Sequence, residues 1–218
     1  MKIAKPNLNW SMLQESDDLH FLIDQSIMDN EDVSLKLIKG VYLEDVNFDD
    51  VAFDQVVFEN CNFINVSFEK ASFNDVLFQS CDLSNSNFSD NWFNRCTFKN
   101  VKSTGGDFGG SKFIHTEIEN SNFKYANFTE SKFDTCSMAK CDMSDAFFSN
   151  CKFKLLGLNE SKFIRTEFFK TPLNKIDFTS CELEGIRISS EFRELKGAVV
   201  NMYQAAELAK ILGIVIKV

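Results

Sequence analysis

The sequence predicts an all-β solenoid, a chain wound into stacked coils and closed by a cap at each end. Three observations predict it: a five-residue period in the large apolar side chains, a second five-residue column of small side chains, and the exclusion of charge from both. Stepping by five from Leu43 to Ile188 meets a large apolar residue at every position except Ser103. Most are Phe, of which the chain has 24, with Leu, Ile or Met at 83, 118, 138, 143, 158, 173 and 183. The residue two before each is small: Val at 46, 51, 56, 66, 76 and 101, Ala at 71, 126 and 146, Ser or Thr at 86, 111, 116, 121, 131, 161, 166 and 171, and all seven Cys. Asn91, Leu156, Ile176 and Ile186 depart from that rule. No Asp, Glu, Lys or Arg between 41 and 190 falls in either column.

This period suits neither regular element. On an α-helix, steps of five smear side chains around the cylinder, and on a flat strand they alternate between faces. A chain that turns after every five residues satisfies the pattern, sending one large side chain to the axis and one small one to the corner. Such a solenoid is stabilised by neighbouring coils, which pair backbone to backbone at roughly 4.8 Å per coil.

The ends of a stacked solenoid expose strand edges and need caps. Residues 1–40 are predicted as the first cap with a degenerate first coil, because the frame fades through Ile38, Val33, Met28 and Ile23. Residues 41–190 form the repeat, and 191–218 the second cap. In the tail, Asn201 is an N-cap candidate with Gln204 as a partial capping box, and Ala205, Leu208, Ala209 and Leu212 line one helical face. Gly213 fits the stop, and Ile214 to Val218 reads as a short apolar strand covered by the last coil or by a second subunit. Leu195, Tyr203, Leu208, Leu212, Ile214 and Ile216 are the candidate dimer or cap residues.

Composition narrows the function classes. The net charge is -9, which disfavours direct binding to nucleic acid. No apolar run is long enough to span a bilayer, and the first residues lack a secretion-signal h-region, so a cytoplasmic protein away from membranes is expected. Seven Cys without a C-x-x-C pair argue against a disulfide framework or zinc site. His20 and His115 stand far apart, Cys61 and Cys81 would stack one coil apart as reduced thiols, and every carboxylate is expected outside. No catalytic residue, metal ligand or cofactor is expected, and the protein is read as a non-enzyme.

Gly105 to Gly110, followed by Ser111-Lys112, comes close to a phosphate-binding loop, with its last two residues reversed. The five-residue frame runs through it, leaving no helix to face a phosphate. It is read as a local defect in the rod, where Ser103 leaves the core either thin or filled by neighbours.

Ala126-Asn127-Phe128-Thr129-Glu130 and Cys81-Asp82-Leu83-Ser84-Asn85 resemble the motif of the pentapeptide repeat proteins. The resemblance covers about 150 residues and implies a right-handed quadrilateral β-helix of 20 residues per coil, a rod of roughly 36 Å. The tail, through Leu195-Lys196-Gly197-Ala198-Val199, Gln204 to Leu208 and Leu212 to Ile216, is similar to that of the Qnr-like quinolone-resistance branch, of Gram-positive chromosomal type. That branch implies rods joined as homodimers at their C-terminal ends, which bind DNA gyrase and topoisomerase IV. Gram-negative members carry loops between coils, whereas this frame is unbroken from 43 to 188.

Charge supplies the candidate site. From 41 to 94 stand ten acids, Glu44, Asp45, Asp49, Asp50, Asp54, Glu59, Glu69, Asp75, Asp82 and Asp90, against the single base Lys70. That is about one net charge per 1.4 Å of rod, close to the ~1.7 Å of duplex DNA. The expected function is an acidic DNA mimic that occupies a basic groove of a type II topoisomerase. A rigid scaffold for another partner is the alternative, with a merely solubilising face behind both. Outward Tyr42, Trp92, Tyr125, Phe147 and Phe169, and the stacked pair Val57 and Leu77, offer further contact points.

Overall fold

The chain turns at every fifth residue because that residue adopts the left-handed backbone conformation. In the computed structural model, which describes residues 2–217, non-glycine residues at this position from Asp45 to Lys175 have φ between 46° and 64°. Asn and Asp tolerate this region best, and they recur here at Asp45, Asp50, Asn60, Asn65, Asn85, Asp90, Asn100 and Asn120. Tyr125 and Leu155 are held in it by the stack around them.

Between turns, short strands pair in parallel with residues twenty further on. Phe53 faces Phe73, Phe73 faces Phe93, and Phe93 faces Phe113. Each coil therefore holds four pentapeptides and has four sides, and the solenoid has about nine turns with two short helices. Pairing begins before residue 41: β1 (Gln14–Ser16) pairs with β2 (Val33–Lys39), and β2 with β4 (Ala52–Glu59), while β3 (Tyr42–Glu44) pairs with Asn62–Ile64 on another side. At the far end Asp177 bridges Val199, a longer step that contains the 3-10 turn Arg193–Leu195. The sheet through Phe53 and Phe73 stops at Lys152–Asn159. The next residue in the column of Lys152 is Pro172, which has no N–H to continue the ladder.

The coil spacing sets the core. Phe53, Phe73, Phe93, Phe113 and Phe133 stack with centroids 4.6 to 5.1 Å apart and planes within 10°. Phe68, Phe88, Phe108, Phe128 and Phe148 form a second stack. Neighbouring columns meet edge to face, as Phe58 meets Phe63 at 84°, an arrangement suited to the ring quadrupoles.

The small column is polar for a reason. Ser86, Ser111 and Ser131 donate to the carbonyls of Phe63, Phe88 and Phe108 at 2.7 to 2.8 Å. The Ser86 and Ser111 hydroxyls in turn accept the N–H groups of Val66 and Asn91 at 3.0 Å. Cys96 and Cys151 thiols donate to Phe73 and Phe128 in the same way. All seven Cys are free and buried, and burial pushes the Cys96, Cys136 and Cys151 thiols up to about 12. Asn91 breaks this network: its buried side-chain amide has no hydrogen-bond partner.

Of the two outcomes open at Ser103, a thin core or one filled by neighbours, the structure shows the second, with Ser103 fully buried. A Cβ on Gly106 would lie 2.4 Å from the Ser103 hydroxyl and 3.1 Å from the Phe108 ring, so that glycine clears room for the serine. Phe108 and Phe123, 5.6 Å apart, close the axis there. Gly105 and Gly110 donate in register to Lys124 and Thr129, and no helix follows, so the stretch has no phosphate-loop geometry.

Helix α1 (Leu19–Asp29), capped by Asp18, buries Leu19, Leu22 and Ile23 at the first coil, with the His20 ring edge-on to Phe48. Ahead of it, residues 4 to 9 run along one corner of the rod. Ala4, Asn7 and Asn9 N–H groups donate to His115, Asp75 and Gln55 side chains. Val57 is buried, and half-buried Leu77 shares a groove with Pro6 and Leu8 of this segment and with Trp10, so neither of the stacked outer pair is freely exposed.

At the other end, α2 (Met202–Ile211) begins with a complete capping box between Asn201 and Gln204, where a partial one was expected. The Gln204 amide also donates to the Phe178 and Cys181 carbonyls at 2.7 Å, satisfying acceptors that a further coil would have taken. Gln204, Leu208 and Ile211 therefore face the rod, so of the expected face Leu208 packs on the core and Ala209 is half-buried, whereas Ala205 and Leu212 are exposed. Residues 214–217 form no strand, the Ile214 N–H donating back to the Ala209 carbonyl of α2, and Val218 lies outside the described residues.

Phe128→Ala should destabilise the protein by about 3–5 kcal/mol in denaturant unfolding, as deletion of a fully buried ring does. A loss below about 1 kcal/mol would contradict the stacked core. Asn91→Ser should stabilise by the order of 1 kcal/mol, since a hydroxyl there can reach the Phe68 carbonyl as Ser111 reaches Phe88. An unchanged or lower melting temperature would show that the Asn91 amide is satisfied in solution.

Candidate protein-binding surface

Outward residues twenty apart stand side by side on neighbouring coils, so charge is read in columns. Arg95 lies on Asp75 (2.6 Å), Lys102 on Asp82 (2.8 Å) and Lys39 on Glu59 (3.6 Å). Three of the ten predicted acids are thus paired with bases from outside 41–94, and the linear count overstates the field of this half. Glu69 pairs with its neighbour Lys70 at 2.7 Å, and Glu44 accepts from the Tyr42 hydroxyl at 2.6 Å.

Two carboxylates are buried where all were expected outside. Asp75 is closed off by Arg95 and by the N-terminal arm, whose Asn7 N–H it accepts at 2.8 Å. Glu194 is buried in the C-terminal cap, accepting from the Lys170 N–H and the Ser189 hydroxyl. Both have full sets of partners and serve packing.

The ten acids do not form one stripe. Glu44 and Asp82 lie on one side of the rod, Asp54 on a second and Glu59 on a third, with Asp45 at a corner. What the coils do assemble is an acidic edge on the fourth side and the corner after it. Asp49 and Glu69 stack there, with the Glu69 N–H donating to Asp49 at 2.8 Å, and Asp50 and Asp90 flank Lys70. The cap adds Glu31 and Asp32, which line a groove of about 520 Å³ with Asp49 and Asp50. Counting from the clear start of the repeat missed these two. The Glu31-Asp32 dipeptide directly before β2 was the available signal. Asp45, Asp49, Asp50, Asp54 and Asp90 make no ion pair with a base among the described residues.

Burial would raise the Asp49 carboxyl, but hydrogen bonds from Ser67, Asn47 and the Glu69 N–H outweigh it and hold the group below its usual range. Asp82 is held low in the same way, burial being overcome by Lys102 and Ser84. Both are anions at neutral pH.

The C-terminal candidates divide. Tyr203, Leu212, Ile214 and Ile216 are exposed, Tyr203 by 74%, whereas Leu195 and Leu208 are half-buried beneath them. Val215, part of the apolar segment read from the sequence, joins the exposed apolar surface, and so does Met202, which was not anticipated. Among the described residues no His, Cys, Asp and Glu cluster could hold a metal ion, and no helix is long and apolar enough to cross a membrane.

A four-sided β-solenoid with charged outer columns and a phenylalanine axis defines the class. The family model described as a pentapeptide repeat region matches residues 38–108 and 71–148, together more than half of the chain, and the chain belongs to that family. Two trypsin-treated variants of QnrB1, a plasmid-mediated fluoroquinolone resistance protein, match at 22% identity and a TM-score of 0.50. They cover 84% of this chain and 90% or 92% of theirs, a likeness of fold. HetL, a pentapeptide repeat protein involved in heterocyst differentiation regulation from the cyanobacterium Nostoc sp. strain PCC 7120, matches at 8% identity and a TM-score of 0.30, over 81% of this chain and 90% of its own. No curated protein sequence matches the chain.

The depressed carboxyls make a pH prediction. A folded-state pKa below the unfolded value adds stability that is present above the unfolded value, about 3.9 for Asp, and is lost as pH falls through the folded one. Thermal melts should be level from about pH 7 to 5 and fall below about pH 4. Asp49→Asn and Asp82→Asn should each shallow that acid limb. Identical acid limbs in wild type and variants would remove these two groups from the account.

Proposed function

We propose that this protein is a non-enzymatic binding protein that acts as an acidic DNA mimic on the type II topoisomerases DNA gyrase and topoisomerase IV, and so modulates fluoroquinolone susceptibility. The observation that carries the reading is the acidic edge of Glu31, Asp32, Asp49, Asp50 and Asp90. It is carried on a rigid stack whose coils repeat at about 4.8 Å, so its carboxylates keep a regular spacing without loss of freedom on binding. A basic groove built for duplex DNA offers complementary charge. The fold likeness to a fluoroquinolone resistance protein agrees with this partner. The protein works in the cytoplasm as a homodimer, joined through the apolar surface of Tyr203, Leu212, Ile214 and Ile216 at its C-terminal end, over half-buried Leu195 and Leu208.

A second reading is a rigid scaffold for an unrelated protein. It is favoured by Phe21, Ile27 and Met28, which leave an exposed apolar surface on α1 beside the acidic groove.

A DNA gyrase supercoiling assay with ciprofloxacin, titrated with this protein at two salt concentrations, tests the proposal. Recovery of supercoiling that weakens at the higher salt is expected, with Asp49→Asn/Asp50→Asn needing several-fold more protein. Inhibition without drug would indicate mimicry without protection. No effect on gyrase or topoisomerase IV would leave the scaffold.

A further inference from the structure

One column of the rod stacks base on base over three successive coils. In the same half of the molecule Lys154 lies on Asp134, Arg165 on Asp145 and Lys162 on Glu182, each base beside an acid one coil away. In the column between, Lys112 is in register with Lys132, and Lys132 with Lys152. All three are exposed, and none makes an ion pair or a side-chain hydrogen bond among the described residues. The one acid on the strand of Lys132, Asp134, is already engaged by Lys154. Three ammonium groups thus stand on stems about 4.8 Å apart, where like charges directly opposite destabilise a sheet. In a protein of net charge -9, other bases without an ion pair among the described residues, such as Lys99 and Lys175, stand singly, whereas these three are stacked on successive coils.

What surrounds the ladder indicates its ligand. Trp92 heads the column, partly exposed, with the Lys112 ammonium 5.1 Å from its ring. Ile114, half-buried, and Leu155, exposed, lie on the same side and its corner. Aromatic and aliphatic side chains among cations suit a polypeptide that brings both carboxylates and apolar groups. Duplex DNA offers a continuous anion with nothing to fill the apolar positions, and the net charge of the rod repels it more strongly than a short acidic segment.

We propose that the Lys112, Lys132 and Lys152 ladder, with Trp92, is a docking surface for an acidic segment of a protein partner in which Glu or Asp alternates with apolar residues. It lies in the neutral half of the rod, apart from the acidic edge, and does not depend on a topoisomerase being the partner of that edge.

The test uses the full-length Trp10→Phe protein, in which Trp92 is the one remaining tryptophan. It is titrated with a short peptide alternating Glu and Leu with Ser spacers, with the Gln version of that peptide, and with a short DNA duplex. Saturable change in Trp92 emission with the Glu peptide alone is expected. Lys132→Glu should weaken that binding about tenfold or more, and Lys132→Arg should retain it. Lys132→Glu should also raise the melting temperature, because it restores acid-on-base stacking, which separates lost binding from lost folding. Equal binding of the Gln peptide, unchanged affinity in Lys132→Glu, or no saturable binding would overturn the proposal. Tighter binding of the duplex would overturn it in favour of nucleic acid. A lower melting temperature for Lys132→Glu would remove the argument that the ladder is held against stability.

Discussion

Everything in this molecule depends on the twenty-residue register between stacked coils. Because the backbone pairs in parallel at a fixed spacing, a residue meets its own kind every fourth pentapeptide. Phe53 stacks on Phe73 and Phe73 on Phe93, Ser86 reaches back to the Phe63 carbonyl, and Arg95 lies on Asp75. Core, corner and surface are three readings of one repeat. A substitution at one site is therefore felt by the equivalent sites above and below it, as expected of a quasi-one-dimensional fold.

The same register creates the problem of the two ends. A regular coil always asks for another, and the chain meets that demand with side chains. At the C-terminal end Gln204 serves twice, completing its helix cap with its oxygen and closing two coil carbonyls with its nitrogen. At the N-terminal end α1 covers the first coil, while the arm before it lies along the rod and shields Asp75.

Stacking also sorts the charge. Acids and bases that are distant in sequence neutralise one another, leaving two regions that do not cancel. One is the acidic edge, continued by Glu31 and Asp32 into the cap, and the other is the lysine ladder beyond Trp92. They occupy different halves of a stiff rod, which can present both without rearrangement. The exposed apolar end around Tyr203 and Ile214 is a third surface, set apart from the charged ones.

By itself the sequence determined the period, the inward and outward columns and the solenoid, because a repeat of five has no other way to bury so many phenylalanines. The alternation of Phe128 with Ala126 is legible without coordinates, and so is the helix after Asn201. The left-handed turn residues were not read from the sequence, because Asn and Asp share that column with Lys70, Arg95, Tyr125 and Leu155. The tertiary structure alone decided which charges survive, since pairing is set by neighbours twenty residues away and by an arm that crosses from outside the repeat. Asp75 reads as a surface acid and is buried, Lys132 reads as one of many bases and stands unpaired, and Glu31 lies outside the repeat yet joins its edge. Local pattern determines which way a side chain points, whereas the partner it meets is set by coil stacking and by the packing of the ends.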